Sequence, residues 1–166
     1  MSKIITAERL RQVLHYDPET GAWTWLVTNS NAAPTGSIAG CVFNDGYRYI
    51  RIDWRLYKAS RLAVLYMTGK WPKDKVDHHD LNRSNDRWKN LREATSGQNN
   101  MNVSKRKDNT SGLKGVTWAK REKKWAANIQ LNKKQHHLGY FDCPAAAHLA
   151  YVLASADLHG EFGRVN

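Results

Sequence analysis

Residues 76–100 read VDHHDLNRSNDRWKNLREATSGQNN, and the interpretation of the whole chain starts from this stretch. Asp77 and His78 follow a β-branched residue, and the apolar-centred run Asn90-Leu91-Arg92 predicts a short return strand. Residues 95–98 have the spacing of a capping box, in which a threonine caps a helix and a glutamine reaches back to it. The stretch therefore predicts a strand, a long polar loop, a second strand and a helix.

A metal ion could be held between two parts of this predicted unit. The capping box places Asn99 in the first turn of the helix, where the backbone field is positive and polar side chains gather. Asp77 on the first strand and Asn99 on the helix could share the ion, with His78 beside it. One carboxylate, one amide and water form an all-oxygen shell, which suits Mg²⁺ (or Mn²⁺) better than zinc.

The same stretch resembles the HNH nuclease family, close to its homing-endonuclease branch. The matching residues are Asp77, His78, Asp80, Asn85, Arg87, Asn90, Leu91, Arg92, Gln98 and Asn99. The three positions that name the family fall on His78, Asn90 and Asn99. Leu81 stands where the family usually has glycine, so the shape of one turn is expected to differ.

The resemblance implies metal-assisted hydrolysis of a phosphodiester bond in double-stranded DNA. His78, neutral near pH 7, would be the general base that takes a proton from water. Asp77 and Asn99 would be the metal ligands, and the metal would act as a Lewis acid on the scissile phosphate. Asn90, the second catalytic position, would tie the loop backbone so that His78 is correctly aimed. The candidates for phosphate contacts in this unit are Arg83, Arg87 and Arg92.

Charge and composition support a polyanionic partner. Lys and Arg number 26 against 15 Asp and Glu, for a formal net charge of +11. An anionic membrane is the rival partner, but no apolar run approaches the roughly 20 residues that span a bilayer, and the N-terminus lacks a signal-peptide core. Cys41 and Cys143 are far apart, which favours a reducing cytoplasm with both thiols as small buried groups.

The N-terminal region, residues 1–72, predicts a mixture of helices and strands. Thr6 can cap a first helix, and a turn over residues 17–21 leads to a strand over 22–27. Asn44-Asp45-Gly46 predicts a hairpin whose second strand covers residues 47–52. After a short strand, Ser60 can cap a helix that runs to Met67 and ends at Gly69.

Several residues of this chain allow a structural interpretation beside a functional one. Trp23, Trp25 and Trp88 are more often core residues than platforms for stacked bases. His136 and His137 could suggest a metal, but no further ligands lie at zinc spacing. Three arginines could either form a solvated strand face or contact DNA: Arg48, Arg51 and Arg55.

Residues 104–112 form a polar, charged stretch that is typical of a linker able to lie along phosphates. Its candidate DNA-binding residues are Lys105, Arg106 and Lys107.

The C-terminal segment, residues 113–166, predicts three strands followed by one long helix. The strands cover residues 114–118, 125–131 and 135–141, and Asp142 can cap a helix that runs to Leu158. In the middle strand the odd positions from Trp125 to Leu131 should face the helix. The even positions form a polar face that could lie in a major groove.

This segment resembles the DNA-binding domain of plant ethylene-response (APETALA-type) factors. The resemblance is carried by Lys114-Gly115-Val116, Trp125-Ala126-Ala127, Ile129, Leu138-Gly139-Tyr140-Phe141 and the helix with Ala146, Ala147, Ala150 and Tyr151. By position, it implies DNA contacts from Lys114, Thr117, Arg121, Asn128, Gln130, Gln135 and His137. Asparagine and glutamine side chains suit adenine edges.

Together these observations predict an α+β protein. It comprises a mixed α/β N-terminal region, residues 1–72, and a ββα-metal HNH unit, residues 73–103. The linker, residues 104–112, leads to a three-stranded antiparallel sheet packed on one long helix, residues 113–166. The expected function is a monomeric DNA endonuclease of the homing or mobile-element type, acting in a bacterial cytoplasm if a phage encodes it. The alternative is a sequence-preferring DNA-binding regulator whose nuclease fold is inert.

Overall fold

A computed structural model describes residues 4–105, 108–131 and 134–165. The chain divides into two compact units, Met1–Ala94 and Thr95–Asn166. Four α-helices and small antiparallel sheets make up the described part of the chain, which is a mixed α and β architecture.

The first unit carries two helices and seven short strands along its described residues. They are α1 (Ala7–Val13), β1 (Leu14–Tyr16), β2 (Trp23–Trp25), β3 (Cys41–Val42), β4 (Arg48–Ile52), β5 (Arg55–Lys58), α2 (Ala59–Thr68), β6 (Lys75–His78) and β7 (Leu91–Ala94). A 3-10 turn over Trp88–Asn90 leads into β7. The antiparallel pairs are β1 with β2, β3 with β4, β4 with β5, and β6 with β7.

The local signals at the helix ends predict most of the boundaries correctly. Thr6 caps α1 by accepting a hydrogen bond from the Arg9 N–H, and Gly69 ends α2 with a φ of 75°. The prediction that Ser60 caps α2 was wrong, because the helix begins one residue earlier, at Ala59, and Ser60 is buried inside it.

Aromatic residues build the centre of the first unit. Trp23 and Trp25 are buried, which confirms the core interpretation of both. The rings of Tyr16 and Trp23 lie 4.6 Å apart, and Tyr66 meets both edge to face. Leucines of α1 and α2 surround them, so the N-terminal helices and hairpins share one core.

The turn between β1 and β2 lies directly against the segment that precedes β7. The Trp88 N–H donates to the Pro18 carbonyl at 2.9 Å, and the Tyr16 hydroxyl donates to the Asp86 carbonyl at 2.6 Å. Gly21, with a φ of 74°, completes the contact: a Cβ there would lie 2.6 Å from the Arg87 nitrogen. The N-terminal hairpin therefore supports the polar loop of the HNH-like stretch.

The second unit has the sheet and helix that were predicted. Its elements are α3 (Ser96–Met101), β8 (Val116–Ala119), β9 (Lys124–Leu131), β10 (Lys134–Phe141) and α4 (Pro144–His159). The strands are antiparallel in the order β10-β9-β8. Ala127 and Ile129 of β9 are buried, and Ala127 packs in one core with Val116 and Ala147 of α4. The predicted helix-facing side of β9 is thereby confirmed.

Two details of α4 differ from the prediction. Its N-cap is Cys143, whose sulfur accepts a hydrogen bond from the Ala146 N–H, and not Asp142. The helix runs one residue beyond its predicted end at Leu158, which is 41% exposed, to His159, which is buried.

The structure also bears on the expectations about the two cysteines and about membrane-spanning segments. Cys41 and Cys143 are both exposed, so the expectation of buried thiols was wrong. Among residues 4–105, 108–131 and 134–165, no helix has the length and apolarity to cross a bilayer.

Candidate active site

Asp77 lies on β6 directly opposite Arg92 on β7. Arg92 donates from Nε and Nη2 to the Asp77 Oδ2 atom at 3.0 and 2.9 Å, and the aspartate is 5% exposed. A two-pronged contact of this kind fixes the direction of the carboxylate. Arg92, expected to contact phosphate, thus lies at the carboxylate of the predicted metal ligand.

His78, the next residue on β6, is 4% exposed. Its Nε2 atom lies 3.0 Å from the Oδ1 atom of Asp86, which is itself 2% exposed. The Tyr47 ring lies beside the imidazole, with 5.7 Å between ring centroids. Because a carboxylate only accepts hydrogen bonds, this contact assigns a hydrogen to Nε2, and in the neutral imidazole the lone pair is then on Nδ1.

Asp86 is the functional candidate that sequence reasoning missed. It stands in a polar loop eight positions after His78, and a single aspartate in such a loop carries no distinguishing signal. Its contact with His78 depends on how the loop folds back over β6. The Tyr16 hydroxyl that holds the Asp86 carbonyl comes from 70 positions earlier in the chain.

Asn90 ties the polar loop together. Its Nδ2 atom donates to the Asp80 Oδ1 atom at 3.0 Å and to the Asn85 carbonyl at 2.8 Å. Its Oδ1 atom accepts from the Asp80 N–H at 3.0 Å. This is the loop-tying geometry expected of Asn90; its effect on the aim of His78 stays a prediction.

Asp80 is the acceptor at the centre of this loop. Burial raises the pKa of Asp80, but hydrogen bonds from the Asn85 and Asn90 amides and the Asn82 N–H outweigh it, and the net pKa is lowered. The loop is therefore built around an ionised carboxylate.

Asn99 is carried by α3, whose capping box is confirmed. The Thr95 Oγ1 atom accepts from the Gln98 N–H at 3.2 Å, and the Gln98 Oε1 atom accepts from the Thr95 N–H at 2.9 Å. Asn99 belongs to the second unit, and its approach to Asp77 at one metal ion stays a prediction. No group of three His, Cys, Asp or Glu residues suited to a metal occurs within the described ranges, His136 and His137 included.

The other basic candidates of the HNH-like stretch lie at the surface. Arg87 is exposed. Arg83 is exposed too, donates to the Asp45 carbonyl at 2.9 Å, and lies 5.1 Å from the centre of the Tyr47 ring. In the predicted linker, Lys105 donates to the Gly112 carbonyl at 2.8 Å; Arg106 and Lys107 lie outside the described residues.

Lys114 has a structural position that the sequence did not reveal. Its ammonium donates to the carbonyls of Met101, Val103 and Arg164, at 3.3, 2.7 and 2.8 Å. Burial, with the nearby Arg164 charge adding to it, lowers the pKa of Lys114 to about 8. These bonds use all three ammonium hydrogens, and the expected DNA contact of Lys114 stays a prediction.

The strand register brings most of the remaining C-terminal candidates for DNA binding to one side of the sheet. Asn128 of β9 pairs with His137 of β10, and Gln130 pairs with Gln135. Thr117 of β8 pairs with Ala126. Cross-strand partners point to the same side of a sheet, as do alternate residues of one strand. The side that they form is named the polar sheet face: Thr117, Asn128, Gln130, Gln135 and His137.

The polar sheet face borders an open cavity within the second unit. Four of its residues, all except His137, line this cavity of about 740 Å³. Asn128 and His137 contact each other, with 3.2 Å between Oδ1 and Nδ1, and the His137 ring meets Tyr140 at 4.4 Å. Arg121 lies exposed in the turn between β8 and β9. The face offers amide and imidazole groups to a ligand of extended shape.

The sequence that carries these residues matches a known class of protein. Residues 57–101 match the family model described as HNH endonuclease, and this range spans β6, the polar loop, β7 and α3. The chain therefore contains an HNH endonuclease domain. This confirms the resemblance of residues 76–100 to the HNH family.

The chain belongs to the same family as Protein 3.8 of Escherichia phage T7. The two are 35% identical over 114 residues, which cover 66% of this chain and 93% of Protein 3.8. No solved structure matches the chain. The comparisons give no support to the resemblance of residues 113–166 to ethylene-response factors, since the family match ends at residue 101.

Proposed function

We propose that this protein is a metal-dependent HNH endonuclease that hydrolyses phosphodiester bonds in double-stranded DNA. The observation that carries the proposal is the imidazole of His78: within a segment matching the HNH family, its Nε2 atom is fixed by Asp86 and the adjacent residue is a carboxylate. An imidazole with its hydrogen on Nε2 carries a lone pair on Nδ1 that can take a proton, which is the property a general base needs.

Asp77 and Asn99 would hold the divalent metal that HNH nucleases generally use. A carboxylate and an amide carbonyl are hard oxygen donors, which fit Mg²⁺ or Mn²⁺ completed by water and DNA oxygens. When bound, such an ion supplies Lewis-acid stabilisation of charge on the scissile phosphate. Arg92 fixes the direction of the Asp77 carboxylate through its paired hydrogen bonds.

The chain's own residues would then divide the work. His78 Nδ1 would accept a proton from a water molecule as the water oxygen bonds to phosphorus. The P–O3′ bond breaks, and the leaving 3′ oxygen takes a proton from solvent water. Asn90 holds the loop that carries Asp86. Arg83 and Arg87, both exposed beside this loop, contact the neighbouring phosphates.

The second unit would supply preference for a site. The polar sheet face presents amides that can read adenine edges in a major groove, and Lys105 and Arg121 add positive charge beside it. Arg106 and Lys107, from the same basic stretch, would follow the DNA backbone. We further propose a monomeric, phage-encoded enzyme of the homing or mobile-element type that acts in the bacterial cytoplasm, because its relative belongs to a phage.

A second candidate is a DNA-binding regulator whose HNH fold does not cleave. Two contacts favour this candidate. Asp77 pairs with Arg92, and the nearly fully buried His78 contacts Asp86. On DNA, a regulator would leave both groups buried, whereas a nuclease would expose them to water and metal while these contacts hold their positions.

A plasmid-nicking assay decides between the two candidates. Supercoiled DNA is incubated with wild type, His78→Ala and His79→Ala, each with Mg²⁺ and with a chelator. We expect wild type and His79→Ala to nick the plasmid only with metal, because His79 is an exposed neighbour. We expect His78→Ala to lose about 10²–10⁴-fold of the rate, the usual contribution of a general base. Binding without cleavage by all three proteins would support the regulator.

The role of the polar sheet face has its own test. The double change Asn128→Ala with Gln130→Ala should flatten the preference among cleavage sites in sequenced products and weaken binding of the preferred site. Asn29→Ala with Asn31→Ala, which removes two exposed amides from the loop after β2, is the matched control and should leave both unchanged. Identical cleavage-site profiles for wild type and the sheet-face variant would show that the face does not read DNA.

A further inference from the structure

Asp86 is a buried carboxylate in direct contact with His78. It is 2% exposed, and its Oδ1 atom lies 3.0 Å from His78 Nε2. Its other oxygen, Oδ2, is buried and has no hydrogen-bond partner among the described residues. A buried carboxylate oxygen without a partner is unfavourable for folding.

The backbone of Asp86 is held more firmly than that of a free loop. The Tyr16 hydroxyl donates to the Asp86 carbonyl at 2.6 Å, and Tyr16 is itself 1% exposed in the core. The Gly21 backbone lies so close to Asp86 and Arg87 that a Cβ would come within 2.6 Å of them. The next residue but one, Trp88, donates to the Pro18 carbonyl at 2.9 Å. The N-terminal hairpin thus fixes the backbone from the Asp86 carbonyl to Trp88.

We infer that Asp86 is the positioning residue for His78, an inference that rests on the proposed nuclease function. Asp86 Oδ1 accepts the hydrogen of His78 Nε2, which keeps the ring in one tautomer and places the lone pair on Nδ1. The β1–β2 hairpin, which lies outside the stretch matched to the HNH family, sets the position of Asp86.

The test uses Asp86→Asn and Asp86→Ala in the full chain, with Glu19→Gln as the matched change of an exposed carboxylate to an amide. With the rate on plasmid DNA measured under saturation, we expect kcat to fall about 10–100-fold, the usual effect of losing a partner that orients a reactive group. KM and the Kd for uncut DNA should stay within about twofold, because Asp86 is buried away from DNA. Glu19→Gln should match wild type. If Asp86→Ala does not fold, the isosteric Asp86→Asn carries the test.

A double-variant comparison separates positioning from general structural support. If Asp86 acts through His78, then Asp86→Asn adds no further loss to His78→Ala, since the group it positions is already absent. Losses that multiply would overturn the inference and assign Asp86 a structural role.

The imidazole itself gives a second readout. In ¹⁵N spectra of the histidine side chains, wild-type His78 should show the tautomer with hydrogen on Nε2, and Asp86→Ala should show a mixture of both tautomers. An unchanged tautomer in Asp86→Ala would overturn the inference while leaving the nuclease proposal intact. An inactive wild type would instead defeat the nuclease proposal, whatever the spectra show.

Discussion

Leu81 holds a left-handed backbone conformation, with a φ of 66°, in the turn that follows β6. Glycine occupies this conformation without a steric penalty, whereas a residue with a Cβ pays about 1 kcal/mol or more. The position is the one at which the HNH-like pattern usually has glycine. The turn therefore keeps a glycine-type backbone although the side chain has changed.

Replacing Leu81 with glycine should relieve this strain. We expect Leu81→Gly to be more stable than Leu81→Ala by about 1 kcal/mol, because alanine keeps the Cβ and removes the same larger side chain. Urea unfolding midpoints of the two variants measure the difference. Equal midpoints, or a lower one for glycine, would show that the turn is not strained.

Lys114 provides a pH-dependent test of the second unit. Burial lowers the pKa of Lys114 to about 8, below its ordinary value of about 10.4. The unfolded chain then binds more protons than the native state between these values, so this group makes stability rise as pH rises from about 8 to about 10.4. Below about pH 8 its contribution is constant.

Unfolding of wild type and Lys114→Met can be compared by urea titration across that range. We expect wild type to gain stability relative to Lys114→Met as pH rises from about 8 towards about 10.4, with a constant difference between about pH 6 and 7. Parallel curves at all pH values would mean that the ammonium is as well solvated as an exposed lysine.

The hairpin of β1 and β2 shows where prediction from sequence succeeded and where it could not. Thr6, the turn over residues 17–21 and the alternation of Trp23 and Trp25 are local signals, and each predicted its element correctly. The contact of Tyr16 with Asp86 spans 70 positions. No local periodicity encodes such a contact, so the support of the polar loop by the hairpin emerged only from the fold.

Two helix starts were predicted one or two residues away from where they lie. Ser60 and Asp142 are good N-caps by chemistry, yet the helices begin after Lys58 and Cys143. Packing of Ala59 and Ala147 in the two cores sets the helix register and overrides the preference of one side chain. The strands of the C-terminal sheet were better predicted, because the alternation along β9 directly reports its buried face.

The close approach of Gly21 to the loop can be tested against a glycine that lacks it. Gly21 and Gly36 have similar φ values, 74° and 84°, but nothing lies within 4 Å of a Cβ at Gly36. Gly21→Ala should therefore be less stable than Gly36→Ala by about 1–3 kcal/mol, the cost of forcing a methyl group into a filled space. Thermal unfolding measures both variants. Equal losses would show that the hairpin does not lie against Asp86 and Arg87.

The net charge of the chain leads to a prediction for DNA binding. With 26 basic and 15 acidic residues, contact with a duplex should release many counterions. With about six phosphate contacts, affinity should fall about 10³-fold between about 50 and 200 mM salt. Fluorescence anisotropy in a chelator, where DNA stays intact, gives the slope.

Arg87→Ala should reduce the slope of that salt dependence by about one, because one phosphate contact is lost. Glu19→Gln, an exposed residue that carries no positive charge, should not reduce it. A salt-independent affinity would point to binding that does not rest on phosphates.

The hydrogen bond from Tyr16 also limits how this HNH domain can be engineered. The family match starts at residue 57, and its strands β6 and β7 form a two-stranded sheet of the kind that is marginal when isolated. A transplanted copy of residues 57–101 would leave behind the tyrosine and the glycine turn that brace Asp86. A chimaera built on that segment would need a substitute brace for the aspartate, designed into its new host.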